Sequence, residues 1–371
     1  MEPQRPDDWN EVVERLCRNV ERKVGPVEFT TFLVGTTLPR SMPRERSEPL
    51  RLEMNRKISD HVMRTYRGTR IAPQDPDLTI EVDVAQKSVR VRIASIYVYG
   101  RYLKENRSLP QTRWHCKKCR GRGCEQCDGK GRVYPTSVEE ILAVPLLEQT
   151  GAHEGKLHGM GREDVDARML GGGRPFVLEL TRPRTRTLDC TVALGIINES
   201  CTEGVSLADL RPAGRRIKKL VKEVEPEKTY LARVRSEGAL EEAAMMRLAG
   251  VAPLDLEQQT PLRVLHRRAD LVRRRRILAL TAVPVTARAS DAGTSLDLRI
   301  RAEAGTYVKE FITGDEGRTR PSLSDILQTS CQCEELDVLE VHFDLDEAMR
   351  LRPSLASGTE ALPLDPYRTS D

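Results

Sequence analysis

"HGMGREDVDARMLGGGRPFVLEL", residues 158–180, sets Asp164 and Asp166 among glycines, beside Arg162 and Arg168, directly before an apolar run. The run has strand character, and the glycines ahead of it mark a turn. A nucleotide-binding loop is excluded here, because "GGGRPF" (171–176) lacks the downstream lysine and hydroxyl that such a loop needs. Aspartate beside glycine is ordinarily an N-cap or turn residue, and Asp166 reads that way. On the residues alone Asp164 also reads as an N-cap or turn residue.

The pattern around this stretch predicts an α+β chain. Upstream, "SVEEILAVPLLEQT" (137–150) reads as a helix opened by Ser137, with acids in its first turn. Strands are expected in "RPFVLELTRP" (174–183), "TVALGIINES" (191–200), "KTYLARVRSE" (228–237), "RRILALTAVPVTARA" (275–289) and "SLDLRIRAEAGTYV" (295–308). "SLSDILQTS" (322–330) reads as a short helix, and "LDVLEVHFDLDEAM" (336–349) as a strand running into a helix. Beyond Arg352 the tail is rich in Pro, Ser and Thr and is expected to fray. Nearer the N-terminus, Trp9, Val12, Val13, Leu16, Val20 and Val24 recur at helical spacing. "FTTFLVGTTL" (29–38) reads as a strand, "EPLRLEMNRKISDHVMRTY" (48–66) as a helix, and "LTIEVDVAQKSVRVRIASIYVYG" (78–100) as two strands around a turn. The expected organisation is a small domain over 1–98, a cysteine module over 99–134 and a larger domain over 135–371.

Of 371 residues, 39% are hydrophobic, enough for a real core, while apolar runs such as 277–287 are too short to span a bilayer. The polar start "MEPQRPDDWNEVV" carries no signal peptide. A soluble cytoplasmic protein is expected, its nine cysteines thiols or metal ligands rather than disulfides. Net charge is only +4, but "RVLHRRADLVRRRR" (263–276) holds seven arginines and one acid, and "RPAGRRIKK" (211–219) is a second basic run. Such runs are solvated faces or phosphate-binding surfaces, and arginine's planar fork favours phosphate.

"CKKCRGRGCEQCDGKGRV" (116–133) contains two CxxCxGxG units. Cys116, Cys119, Cys124 and Cys127 can converge on one Zn²⁺, because the glycine-broken linker between the pairs lets the chain fold back. Four thiolates leave no open coordination position, so the metal would be structural. The lysines and arginines interspersed with the cysteines offset the negative charge of such a centre. The other reading of the cluster is a set of plain thiols.

In order along the chain, "YGRYLKENRSLPQTRWHCKKCRGRGCEQC", "GREDVDARMLGGGRPFVLEL", "EKTYLARV" and "AGTYVKEFITGDEGRTRPSLSDIL" resemble the motifs of the tRNA pseudouridine synthases that act on the T-loop in archaea and, in related form, in eukaryotes. The resemblance covers roughly 90 to 345. It implies a pseudouridine synthase fold, an N-terminal THUMP-type RNA-binding domain, and isomerisation of uridine 54, 55 or both in the tRNA T-loop. It makes Asp164 the catalytic aspartate, Tyr230 the tyrosine against the base and Lys309 the basic partner of Asp164. Ile326 or Leu327 would pack below the base. Arg162 would contact substrate, and Arg263, Arg267, Arg268, Arg273 and Arg274 would grip the tRNA backbone. Isomerisation breaks the C1′–N1 bond and rejoins the base through C5, so no organic cofactor is expected. The aspartate acts as nucleophile or as base, and the base must be flipped out of the loop. A monomer without a membrane partner is expected. The family's N-terminal cysteine set is represented here by Cys17 alone. The rival readings are a non-catalytic zinc-containing RNA-binding or chaperone-like protein, and an RNA methyltransferase bearing a THUMP domain. The chain lacks the HPD tripeptide of the chaperone class and the glycine-rich adenosylmethionine loop of the methyltransferases.

Overall fold

The helical spacing at the start of the chain produces α1 (Trp9–Val24), which buries Trp9, Val12, Val13, Leu16, Cys17, Val20 and Val24 along one stripe. The structure, a computed structural model, describes residues 9–39, 41–238, 240, 242–283, 289–290 and 293–351. The tail beyond Arg352 lies outside them. The chain packs as two units: one comprises Met1–Tyr97, Ala143–Lys156 and Glu179–Asp189, the other Val98–Leu142, Leu157–Leu178 and Cys190–Asp371.

In the smaller unit α1 is followed by β1 (Thr31–Thr37), α2 (Arg44–Thr65), β2 (Arg70–Ile71), β3 (Leu78–Asp83) and β4 (Ser88–Ile93). The sheet order is β2-β1-β3-β4, with β1 parallel to both neighbours and β3 antiparallel to β4. β3 alternates buried Leu78, Ile80 and Val82 with half-exposed residues, and Leu50, Met54, Ile58 and Val62 of α2 close over the same core. Two segments from later in the chain complete this unit. Arg186 pairs with Asp77 at 2.9 Å, and Thr187 donates to the Glu28 carboxylate from its N–H at 3.0 Å and its hydroxyl at 2.6 Å.

The remaining elements are β5 (Ile96–Lys104), α3 (Val138–Thr150), β6 (Glu154–Gly159), β7 (Arg168–Thr181), α4 (Cys190–Ser200), β8 (Val205–Ala213), α5 (Arg215–Glu223), β9 (Lys228–Ser236), α6 (Glu242–Ala249), β10 (Leu254–Gln259), β11 (Val272–Ala282), β12 (Ala289–Ser290), β13 (Gly293–Ala302), α7 (Val308–Thr313), β14 (Thr319–Arg320), α8 (Leu323–Leu327), β15 (Cys331–Val341) and α9 (Leu345–Leu351). The main path of the large sheet runs β14-β10-β11-β13-β9-β15-β7-β5-β8. From β10 through β15 its pairings are antiparallel, and β15 joins β7 in parallel. Ala232, Val234, Leu256, Ile277, Leu298 and Ile300 share a core with Val308, Phe311, Ile312, Leu323 and Leu327 of α7 and α8.

The α+β expectation holds, with local corrections. "TVALGIINES" is the helix α4, not a strand. Cys190, Ala193 and Ile197 form its buried stripe, while Val192 and Ile196 are 50% and 46% exposed. Its β-branched residues favour a strand locally, but packing against β8 selects the helix. The segment 78–100 holds the start of a third strand, β5, which runs on to Lys104, inside the span expected for the cysteine module. The expected strand over 275–289 starts earlier, at Val272, and ends at Ala282; residues 284–288 lie outside the described ones. Among the described residues no helix is long and apolar enough to cross a membrane.

Candidate active site

The turn between β6 and β7 is fixed from below by a buried polar network. Arg174 and Glu163, whose side chains are both 1% exposed, form an ion pair at 2.8 Å. Tyr102 donates its hydroxyl to the Glu163 carboxylate at 2.8 Å and accepts from Gln111 at 2.8 Å. Burial alone would weaken Arg174's hold on its proton, but Glu163, helped by Tyr102 and Tyr230, outweighs it and raises the Arg174 pKa. The backbone of the turn is held at successive carbonyls. Arg174 donates to Met160 at 2.8 Å, Gln111 to Gly161 at 3.2 Å, Lys104 to Val165 at 2.8 Å and Arg107 to Asp166 at 3.0 Å. Gly161 sits at φ +79°, and a Cβ there would stand 3.1 Å from Arg174 Nη1, so the turn needs glycine at this point. At its far end Asp337 accepts from Arg168 at 2.6 Å and pairs with Arg107 at 2.8 Å.

This scaffold presents Asp164 with 38% of its side chain exposed. Two cations face it: Arg263 Nη1 lies 3.3 Å from Oδ1, and Lys309 Nζ lies 3.5 Å from Oδ2. Lys309 is closer to Asp166, at 2.8 Å. Burial would push the Asp166 carboxyl up, but the Lys309 ammonium holds it below the usual range. Burial likewise would lower Lys309, and Asp166 with Asp164 raises it instead. Arg263 is itself anchored by buried Glu310 at 2.6 Å. Tyr230 lies on β9, in register with Ile300 and Val338. Burial pushes its hydroxyl up to about 12; Arg174 opposes the shift and the charge of Asp164 adds to it.

The structure therefore brings Lys309 to Asp164, and Tyr230 lies within reach of the charge of Asp164. Leu327 is 3% exposed and belongs to the core, whereas Ile326 is half-buried at its edge. Arg162 stacks over Trp114 at 5.3 Å from the ring centroid. Arg263 is in the site, Arg268 donates to the Tyr307 hydroxyl at 2.7 Å, and Arg273 to Thr260 Oγ1 at 3.0 Å. Arg274 is 89% exposed beside Glu257 at 3.6 Å, and the side chain of Arg267 lies outside the described residues. Sequence reasoning missed Glu163, Arg174, Tyr102, Lys104 and Glu310. Arg174, a charge directly ahead of the apolar run 175–178, was the available signal, because such a residue is buried only when paired.

Cys116, Cys119, Cys124 and Cys127 form a cluster with all four sulfurs within 4.8 Å of one another. Three of the S···S separations are 3.8, 3.8 and 3.7 Å. A tetrahedral centre with Zn–S bonds of about 2.3 Å has edges of about 3.8 Å, so the donor set and its spacing fit a metal ion. The N–H groups of Gly123 and Gly131 donate to Cys119 and Cys127 sulfurs at 3.2 and 3.1 Å, which suits thiolates. The segment is tied to α3 by Arg132, which meets Glu140 at 3.0 Å.

The family profile described as "Pus10, C-terminal" matches residues 97–342. The chain is 44% identical over 353 residues to the "tRNA pseudouridine synthase Pus10" of Methanothermobacter marburgensis, covering 89% of this chain and 84% of that one. It is 38% identical over 348 residues to the protein of that name from Methanothrix thermoacetophila, covering 90% and 75%. For the Archaeoglobus fulgidus protein the figures are 36% over 335 residues, covering 89% and 92%. Identity at this level over most of both chains places this chain in the Pus10 family.

Proposed function

We propose that the protein converts uridine 54, uridine 55 or both in the tRNA T-loop to pseudouridine, with Asp164 as the catalytic residue. The observation that carries this reading is Asp164 itself. It is the half-exposed carboxylate on a turn otherwise locked by buried bonds, faced by two cations and electrostatically coupled to Tyr230. Its membership of a family whose relatives carry the name of tRNA pseudouridine synthases supports the substrate class.

The reaction breaks the C1′–N1 bond, turns the uracil and forms a C1′–C5 bond; the C5 proton leaves and N1 gains one. Atoms and oxidation state are conserved, so neither donor nor oxidant enters. Asp164 attacks as a nucleophile or removes a proton as a base. Arg263 and Lys309 orient its two oxygens. The Tyr230 ring offers a face to the extruded uracil, and its hydroxyl stays protonated at neutral pH. The half-buried side chain of Ile326 is the more accessible of the two apolar candidates below the base. The smaller unit serves as the THUMP-type RNA-binding domain. The cysteine cluster holds a structural Zn²⁺ that fixes the segment 116–132 next to the Trp114 and Gln111 supports of the turn.

Incubating unmodified tRNA transcripts with the protein alone, followed by carbodiimide mapping, tests the proposal. Pseudouridine at 54 or 55 is expected; an unmodified T-loop would return the chain to a binding role.

A further inference from the structure

The arginine run of β11 is split between the two faces of its strand. Arg274 and Arg276 lie directly opposite Glu257 and Asp255 of β10 and pair with them, at 3.6 and 2.6 Å. Asp255 raises the Arg276 pKa. Arg273 and Arg275 point to the other face, because successive strand residues alternate. Their partners in register are Gln258 and Leu256, each 1% exposed. Gln258 exchanges hydrogen bonds with the backbone of Tyr307, donating to its carbonyl and accepting from its N–H, both at 3.0 Å. This face therefore looks onto the segment Gly305–Tyr307, which leads into Lys309.

On that face the guanidinium groups have only neutral partners. Arg273 donates to Thr260 Oγ1 at 3.0 Å and the Leu271 carbonyl at 3.3 Å. Arg268 donates to the Tyr307 hydroxyl at 2.7 Å. Arg275 donates to the Arg274 carbonyl at 3.0 Å, and its buried Nε has no partner among the described residues. Among the described residues none of the three forms an ion pair, although Arg274, Arg276 and Arg318 nearby all do. Gly305 is exposed and lies against Arg275: a Cβ there would stand 3.1 Å from Nη2. A side chain at this point would crowd the guanidinium, and its absence leaves the cation accessible.

We propose that Arg268, Arg273 and Arg275 form a seat for RNA backbone phosphates beside the segment that delivers Lys309 to Asp164. Arg274 and Arg276 bind acids of β10 and contribute little to it. Three cations without carboxylate partners, Arg275 against Gly305, Arg268 on the Tyr307 hydroxyl and Arg273 opposite the Gln258 that holds Tyr307, retain the donors and the charge that a phosphodiester takes up. The proposal rests on the reading of the chain as a tRNA-acting enzyme, and it divides between two faces an arginine run that looks uniform in sequence.

The test compares two double variants of the full chain that lose the same charge. Affinity for an unmodified tRNA transcript is measured across a salt series. Arg273→Gln/Arg275→Gln is expected to flatten the slope of log affinity against log salt by about 1.4 to 1.8, the loss of two phosphate contacts. Arg274→Gln/Arg276→Gln should change it by less than about 0.5. Arg273→Lys/Arg275→Lys keeps the charge and should recover most of the slope, which a folding defect would not. Equal slope changes in the two glutamine variants, or the larger change in Arg274→Gln/Arg276→Gln, overturns the proposal. Wild-type protein that binds tRNA yet forms no pseudouridine defeats the functional reading alone, and the comparison of variants still decides the seat. Wild-type protein that does not bind tRNA overturns both.

Discussion

Arg263 faces Asp164 across 3.3 Å, and it reaches there from the arginine run rather than from the motif that contains the aspartate. Its Nε is held by Glu310 at 2.6 Å, so the cation beside Asp164 is anchored before any substrate arrives. Removing the Asp164 carboxylate should therefore leave the surrounding charges in place. In Asp164→Asn, pseudouridine formation should fall by at least about a hundredfold, the low end for a lost catalytic base, with tRNA affinity largely kept. Single-turnover assays beside filter binding check this. Turnover close to wild type would give Asp164 the ordinary role of a turn former.

Glu163 stands one residue before Asp164 and should behave in the opposite way. Glu163→Gln leaves Arg174 buried without its counter-charge, which costs about 3 kcal/mol or more. A melting-temperature drop of roughly 6 °C or more follows. Tyr102→Phe removes one hydroxyl from the same network and should cost only about 1 kcal/mol. Calorimetry of the two variants decides, and equal small shifts would mean that the network is dispensable.

The cysteine cluster should carry one metal ion per chain. Cys116→Ser is expected to lower metal content, measured by plasma mass spectrometry on freshly purified protein, and to lower the melting temperature by about 5 °C. Wild-type protein purified without chelator and found free of zinc would refute the zinc assignment.

Asp337 gives a pH dependence whose sign can be worked out. Burial alone would raise its carboxyl, but bonds from Arg168 and Arg107 hold it below the usual range. A depressed folded-state value means that its stabilisation is present above the unfolded value of about 4 and is lost as pH falls through the folded one. Asp337→Asn should thus be less stable than wild type at pH 7, by about 2 kcal/mol, the loss of charge-assisted hydrogen bonds. The gap should narrow as pH falls below about 4. Denaturant melts at pH 7 and pH 3.5 measure it; a gap independent of pH would remove the ion pairs as its cause.

Much of this was legible in the residues. The stripe of α1, the alternation of β3 and the Ser137 and Ser322 helix starts each follow from local chemistry that survives folding. Asp164, Tyr230 and Lys309 were singled out through motif order, and the structure sets Lys309 3.5 Å from Asp164. What stayed hidden depends on contacts far apart in sequence. Nothing local says that Glu163 is sealed in while its neighbour is open, since that follows from Arg174 eleven residues on and Tyr102 sixty-one residues back. The "TVALGIINES" error has the same origin: Val192 and Ile196 look like core residues of a strand until β8 takes the other side of the helix.

The smaller unit is not finished where its first segment ends. Asp77 and Glu28 receive Arg186 and Thr187 from a stretch that leaves the ribosome about ninety residues after Tyr97. At about 5–20 residues per second, the nascent chain spends roughly 5 to 20 s with those carboxylates lacking these later partners. A truncated chain ending near residue 98 would remain in that state permanently. The order of synthesis thus makes completion of the smaller unit wait on residues that follow the Asp164 turn and β7 in the chain.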